Sequence, residues 1–235
     1  SPRRMQATGC ASFWGWRTMQ VKICGITNTE DALCAVHYGA AALGFIFYRS
    51  SPRFVESRRA REIIECLPAG TVRVGVFVNE EIQTVRRIFE ECRLDMIQLH
   101  GDETPEYCRT FPRKRLIKAL ELKTPADVEK CALYDVAAVL ADVRHGGLYG
   151  GTGKTADWGL ASAVGAELIL SGGLCRENVA GAIRKARPAA LDLNSGVEVS
   201  PGKKDEAKIA GIMEIIKLET QGDESPRVFT GREEK

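Results

Sequence analysis

Residues 21–27, Val-Lys-Ile-Cys-Gly-Ile-Thr, decide the fold class, because they have the pattern of a short buried strand that ends in a cysteine beside a glycine. A helix signal follows at once, and the same order of strand, turn and helix recurs down the chain. In repeated β/α folds the chemistry collects at the carboxyl ends of the strands. We therefore expect one barrel with one active-site mouth, and Cys24 at that mouth.

Eight runs of β-branched and aliphatic residues predict eight strands. They lack strict alternation, which is typical of parallel strands covered on both faces, and helical patterns such as 80–91 follow them. Eight βα units of roughly 25 residues predict a single (β/α)8 TIM barrel of the α/β class, whereas a doubly wound open sheet usually has fewer strands. The runs are 21–26, 42–48, 73–78, 96–100, 115–120, 136–142, 167–171 and 190–194.

The two ends of the chain differ from its middle. We expect the barrel to span 19–218. Residues 1–18 contain three arginines, no acidic residue and no periodicity, which predicts a loose N-terminal extension. Residues 219–235 begin Glu-Thr-Gln-Gly-Asp-Glu-Ser-Pro and end in charged residues, which predicts a flexible C-terminal tail.

The composition is that of an ordinary globular domain, with 44% hydrophobic and 27% charged residues among 235. A net charge of +2 is too balanced to indicate binding to nucleic acid or to a membrane, although it leaves room for a small anionic ligand. The eight cysteines show no C-x-x-C spacing, which gives no indication of a metal site. With no secretory segment and no long apolar run, they predict reduced thiols in a cytoplasmic protein.

Two glycine-bearing turns follow the last two predicted strands. They supply Gly172 and Gly173 after strand seven, and Ser195 and Gly196 after strand eight. Glycine lets backbone N–H groups approach an anion, and barrels bind phosphate at this place in the fold. The alternative is that the glycines only allow tight turns. The agreement of position and composition favours a phosphate site.

The stretch 150–155, Gly-Gly-Thr-Gly-Lys-Thr, resembles a P-loop only superficially. A P-loop needs a glycine five positions before Gly153, where this chain has Leu148. The stretch also follows a glycine-rich insertion and does not open a helix directly. We interpret it as a mobile loop that covers the substrate.

Cys24 and Asp142 end predicted strands one and six. A thiol and a carboxyl group that flank a small substrate can remove and donate protons without a cofactor, which is isomerase chemistry. Either residue could instead be structural, since strand-end cysteines often pack and strand-end aspartates often cap turns. Spacing alone leaves these alternatives open.

An ordered set of segments across nearly all of 19–205 resembles the phosphoribosylanthranilate isomerase family. Each segment alone is weak evidence, but their order is highly specific. They are Lys22–Thr27, Gly44–Tyr48, Ser51–Arg53, Val74–Asn79, Gln98–Gly101, 150–155 with Asp157-Trp158, Ser171–Leu174 and Asn194–Glu198.

The resemblance implies a (β/α)8 barrel of tryptophan biosynthesis that binds a phosphosugar and needs no cofactor or metal. The implied reaction is the Amadori rearrangement of N-(5′-phosphoribosyl)anthranilate to 1-(2-carboxyphenylamino)-1-deoxyribulose 5-phosphate. In the family's pattern Asp142 is the acid, Cys24 the base, and Arg53 the contact for the substrate carboxylate. Three further residues, Gln98, His100 and Asp192, match substrate-positioning places at strand ends. Association with other enzymes of the pathway is left open.

The assigned roles require shifted pKa values, since a free cysteine has a pKa of about 8.5 and an aspartic acid about 3.9. We expect N–H dipoles to help Cys24 toward the thiolate, and an apolar surround or substrate charge to keep Asp142 protonated. One competing interpretation is the related phosphosugar isomerase of histidine biosynthesis, but that family has an aspartate where this chain has Cys24. The other is a non-catalytic barrel that binds a phosphosugar.

Overall fold

The barrel predicted from the sequence is confirmed. A computed structural model describes residues 18–142, 158–164, 167–222 and 224–231. Eight parallel strands pair in chain order, and β1 also pairs with β8, so that the sheet closes. The strands are β1 (Gln20–Cys24), β2 (Ala42–Ile46), β3 (Val72–Phe77), β4 (Met96–Leu99), β5 (Leu116–Glu121), β6 (Ala138–Asp142), β7 (Leu168–Ser171) and β8 (Ala190–Leu193).

Helices follow the strands, and several of them begin after a residue whose side chain caps the helix. Asn28 accepts a hydrogen bond from the backbone N–H of Asp31, and Thr124 forms a reciprocal capping box with Asp127. These local signals fix where the chain turns back along the barrel. The helices are α1 (Thr29–His37), α2 (Ser57–Ile64), α3 (Ile82–Glu91), α4 (Pro105–Cys108), α5 (Pro125–Cys131), α6 (Trp158–Ala161), α7 (Val179–Ala186) and α8 (Glu206–Glu219).

The strands are buried on both faces, which is why they lack strict alternation of apolar and polar residues. Side chains alternate along a strand, so one set fills the barrel and the next packs under the helices. The inner set includes Val74, Met96 and Leu140, whereas Phe45 and Leu99 belong to the outer layer. The inward positions also include Cys24, Gln98, Asp142 and Asp192. His100 follows β4 and continues the inward positions of that strand.

A short hairpin follows β8 and covers the carboxyl end of β1. A 3-10 helix spans Ser195–Val197, and β9 (Glu198–Ser200) pairs antiparallel with β10 (Lys203–Lys204). The hydroxyl of Thr27 donates to the carbonyl of Gly202 at 2.6 Å. The hairpin therefore brings residues from the end of the chain over the end of its first strand.

The opposite end of the barrel is closed by the C-terminal segment. Val228 and Phe229 are buried and belong to the same apolar cluster as the barrel interior. The amide oxygen of Gln20 accepts from the backbone N–H groups of both residues, at 2.9 and 3.0 Å, and its amide nitrogen donates to the carbonyl of Phe229 at 3.0 Å. Within the predicted tail over 219–235, Val228 and Phe229 are therefore packed against the barrel. Residues 1–17, most of the predicted N-terminal extension, lie outside the described residues.

Candidate active site

Cys24 ends β1 with its side chain buried at the mouth of the barrel. Its neighbour across the sheet is Gly44 of β2. A Cβ atom at position 44 would lie 2.6 Å from the Cys24 sulfur, which is too close for any side chain. The glycine in β2 therefore makes the space that the thiol occupies.

A buried ion pair lies next to the thiol. Lys22 and Asp192 are opposite each other in the register of β1 and β8, and the Lys22 Nζ atom is 2.7 Å from Asp192 Oδ1. The Lys22 side chain is fully buried and that of Asp192 is 5% exposed. Asp192, predicted to position the substrate, thus holds a lysine inside the barrel.

Burial raises the pKa of the Cys24 thiol above its ordinary value, and Asp192 adds to the rise. Lys22, and to a smaller degree Lys204, act in the opposite direction. Burial also works against the charge on Lys22, but Asp192 and Cys24 outweigh it and the pKa of Lys22 is raised. The net shift is upward, and the groups that oppose it are the two lysines.

Asp142 ends β6 and is buried, facing His100 beyond β4. The His100 Nε2 atom lies 3.7 Å from Asp142 Oδ2. On the other side of the ring, the amide nitrogen of Gln98 is 2.9 Å from His100 Nδ1. The Gln98 amide and His100 Nδ1 are thus within hydrogen-bond distance, and Nε2 is the ring nitrogen that faces Asp142. The three predicted residues form one chain of polar contacts.

The two glycine turns lie against each other. Gly172 and Gly173 have φ values of 101° and 64°, which favour glycine, and the turn is closed by Asn178, whose amide donates to the Gly173 carbonyl at 2.9 Å. A Cβ atom on Gly196 would collide with the carbonyl of Leu174. The turns after β7 and β8 therefore form one surface, with the start of α7 at its edge.

Arg53, predicted to bind a carboxylate, is held by Glu198. The Arg53 Nε and Nη2 atoms lie 3.0 and 2.7 Å from Glu198 Oε2. The ammonium group of Lys204 lies 2.8 Å from Glu198 Oε1 and donates to the carbonyl of Cys24 at 2.5 Å. One carboxylate thus joins the arginine of the β2–α2 loop to the end of β1.

Sequence reasoning missed Lys22, Glu198 and Lys204 as functional candidates. Lys22 had a usable signal, because a lysine two residues before Cys24 has the same inward parity in an otherwise apolar strand. Glu198 was inside a segment that carried the family resemblance but received no role. No sequence pattern singled out Lys204. The predicted substrate-covering loop, 150–155, lies outside the described residues.

Within the described ranges, no cluster of histidine, cysteine, aspartate and glutamate residues is suited to hold a metal ion. No helix there has both the length and the apolar character needed to cross a membrane. The groups gathered at the mouth are a thiol, carboxyl groups, an imidazole and cations, which is a set suited to proton transfer.

The closed barrel and this set of groups define the class of the protein, a (β/α)8-barrel enzyme whose mouth holds groups suited to acid–base chemistry. The chain matches the family model of N-(5′-phosphoribosyl)anthranilate (PRA) isomerase over residues 21–215. It belongs to that family, and the resemblance found in the sequence is confirmed.

Relatives of known identity cover most of the chain. The N-(5′-phosphoribosyl)anthranilate isomerase of Syntrophus aciditrophicus (strain SB) is 48% identical over 200 residues, which are 84% of this chain and 87% of the relative. That of Acidithiobacillus ferrooxidans is 48% identical over 194 residues, 82% of this chain and 94% of the relative. The match thus spans nearly the whole length of each relative.

Solved structures of the family have the same fold. The phosphoribosyl anthranilate isomerase of Thermotoga maritima superposes with a TM-score of 0.78 at 42% identity, covering 85% of this chain and 99% of that one. A second structure, a complex with reduced 1-(o-carboxyphenylamino)-1-deoxyribulose 5-phosphate, gives a TM-score of 0.75 at 40% identity, with coverages of 85% and 99%.

Proposed function

We propose that this chain catalyses the Amadori rearrangement of N-(5′-phosphoribosyl)anthranilate in tryptophan biosynthesis, with Cys24 and Asp142 as its proton-transfer groups. The observation that carries the proposal is their placement. Each of the two is the last residue of its strand, β1 or β6, and has the inward parity. Around the ring, the glycine turns after β7 and β8 lie between them. A substrate whose phosphate rests on these turns has one of the two groups on each side.

The order of residues around the ring also suggests the orientation of the substrate. The phosphate rests against Gly172, Gly173, Ser195 and Gly196, which places the sugar carbons between Asp142 and Cys24. The next group beyond Cys24 is Arg53, from the loop after β2. The carboxylate of the anthranilate ring is directed to its guanidinium, which suits carboxylate geometry.

The proposed chemistry balances without an external oxidant or reductant. Asp142 gives its proton to the ring oxygen as the bond from that oxygen to C1 breaks, and the anthranilate nitrogen forms an iminium ion with C1. The iminium makes the C2 proton acidic, and Cys24 as thiolate removes it to give an enolamine. Tautomerisation to the ketone reduces C1 and oxidises C2 within one molecule. His100, held by Gln98, orients Asp142.

The test uses the fluorescence of the substrate, generated in place from anthranilate and phosphoribosyl pyrophosphate by its transferase. We expect the fluorescence to decay faster than by spontaneous hydrolysis, with the ketone product formed in step. The aminoaldose of histidine biosynthesis is supplied separately to test the alternative substrate. Acceleration of neither reaction by folded protein would contradict an isomerase and favour a barrel that only binds a phosphosugar.

The proposed function brings with it a cytoplasmic location and contact with other enzymes of the pathway. The seven cysteines in the described ranges carry free thiols, which suits a reducing compartment. Channelling of an unstable substrate would favour such contacts. Cell fractionation and co-purification with the enzyme that makes the substrate test the two points.

A further inference from the structure

Lys22 is an unusual residue for the interior of a barrel. Its side chain is fully buried among inward positions that are otherwise mostly aliphatic. Burying an ammonium group and a carboxylate costs several kcal/mol per ion, and well-packed apolar side chains are often as stable or more so. The ion pair with Asp192 compensates this cost but gives no reason for a charge at this place.

The position of the ammonium group suggests a reason. Lys22 and Cys24 are two residues apart on β1, so their side chains point to the same interior with a spacing of about 7 Å along the strand. Each side chain favours the charged form of the other. Beyond its ion pair with Asp192, the Lys22 ammonium has no hydrogen-bond partner in the part of the chain that the structure describes.

We infer that Lys22 is a positioning residue for the base of the reaction: its ammonium group, fixed by Asp192, is the positive charge against which the Cys24 thiolate forms. This inference rests on the proposed function, in which Cys24 must lose its proton before it can take one from the substrate. A buried thiol without such a charge stays protonated at neutral pH.

Other charged groups face Cys24 from the packed elements. Asp192 of β8 opposes the thiolate, and Lys204 of β10 favours it. Lys204, however, directs its ammonium to the Cys24 carbonyl, to Asn194 and to Glu198, and Glu198 also binds Arg53. Its charge is thus largely compensated by the hairpin. The influence of Lys22 on the thiol is the larger of the two.

The experiment measures the ionisation of Cys24 directly, by thiolate absorbance near 240 nm against pH. Each protein is compared with a twin that also carries Cys24→Ser, so that the other thiols cancel. We expect the midpoint to rise by about one pH unit or more in Lys22→Met and to fall in Asp192→Asn. General unfolding damage cannot produce changes of opposite sign.

A second readout is the pH profile of kcat/KM. The acid limb of this profile should move with the midpoint of Cys24 ionisation. If that midpoint rises by about one pH unit in Lys22→Met, kcat/KM at pH 7 should be roughly tenfold lower. The matched control is Lys118→Met with Glu103→Gln, which removes another fully buried ion pair, on the outer face of β5. This control should leave the Cys24 midpoint in place even if it changes turnover.

The titration needs no substrate, so the two proposals can fail separately. A wild-type protein without isomerase activity would contradict the proposed function, regardless of the ionisation midpoint of Cys24. A wild-type protein that isomerises the substrate, with the same Cys24 midpoint in Lys22→Met as in the parent, would overturn the role of Lys22 alone.

Discussion

The two ends of the barrel differ in what they bury. The end at the carboxyl termini of the strands buries charges, among them Lys22, Asp192 and Glu198. The opposite end buries Val228 and Phe229, which are held by one glutamine of β1. Chemistry and closure of the core are thus at opposite ends of the same strands. We therefore expect a change at one end to leave the other nearly unaffected.

The largest effect is expected at the charged end. Cys24→Ala or Asp142→Asn should lower kcat by roughly 10³-fold, because general acid–base catalysis contributes about 10²- to 10⁴-fold. The free energy of unfolding should change little, since Asp142→Asn is isosteric and Cys24→Ala removes a single heavy atom, the sulfur. Turnover by the fluorescence assay and urea unfolding check the two parts. Affinity for a reduced product analogue is the control: if it falls as far as kcat, the residues are not purely catalytic.

The next effect is expected at the closed end. Phe229→Ala should lower the free energy of unfolding by about 3 kcal/mol, as for other buried aromatic side chains, while kcat of the folded protein stays within about twofold. Chemical denaturation and turnover on one preparation measure both. Leu133→Ala is the matched control, because that side chain is 61% exposed and its loss should cost little. A fall in kcat that follows the loss of stability would refute the separation of the two ends.

Much of the barrel and several of its site residues could be predicted because they depend on local patterns. Continuous apolar runs show strands buried on both faces, and residues at the ends of those runs point to the mouth. Cys24 and Asp142 are such residues. The turn with Gly172 and Gly173 likewise follows directly after one of these runs. The family resemblance then supplied the role of each.

The remainder depends on contacts between residues far apart in the chain. Arg53 and Glu198 are 145 positions apart, and Gln20 and Phe229 are 209 positions apart. No periodicity or composition links such pairs. The packing of Val228 and Phe229 could not be predicted, because these apolar residues stand among charged and turn-forming ones and are buried against an interior that only the closed barrel creates.

A smaller effect is expected from the group that holds Arg53. Glu198→Gln removes the charge that fixes the guanidinium, so KM should rise about tenfold with a smaller change in kcat. Steady-state kinetics with the generated substrate measure both constants. Glu62→Gln is the control, because it removes exposed ion pairs with Arg58 and Arg59 that lie on α2. An unchanged KM in Glu198→Gln would show that Arg53 is positioned without its partner.

The smallest effect is the pH dependence of this same contact. Burial alone would raise the pKa of Glu198, but hydrogen bonds from Arg53 and Lys204 outweigh it and hold the pKa below its ordinary value. The stability it contributes is therefore present above the unfolded pKa of about 4.3 and is lost as the pH falls through the folded value. The free energy of unfolding of the wild type should exceed that of Glu198→Gln by about 1 kcal/mol at pH 7, and this difference should shrink toward pH 3.5. Urea unfolding at pH 7, 5 and 3.5 measures it, and a difference that stays constant over this range would mean that the carboxylate contributes by packing and not by charge.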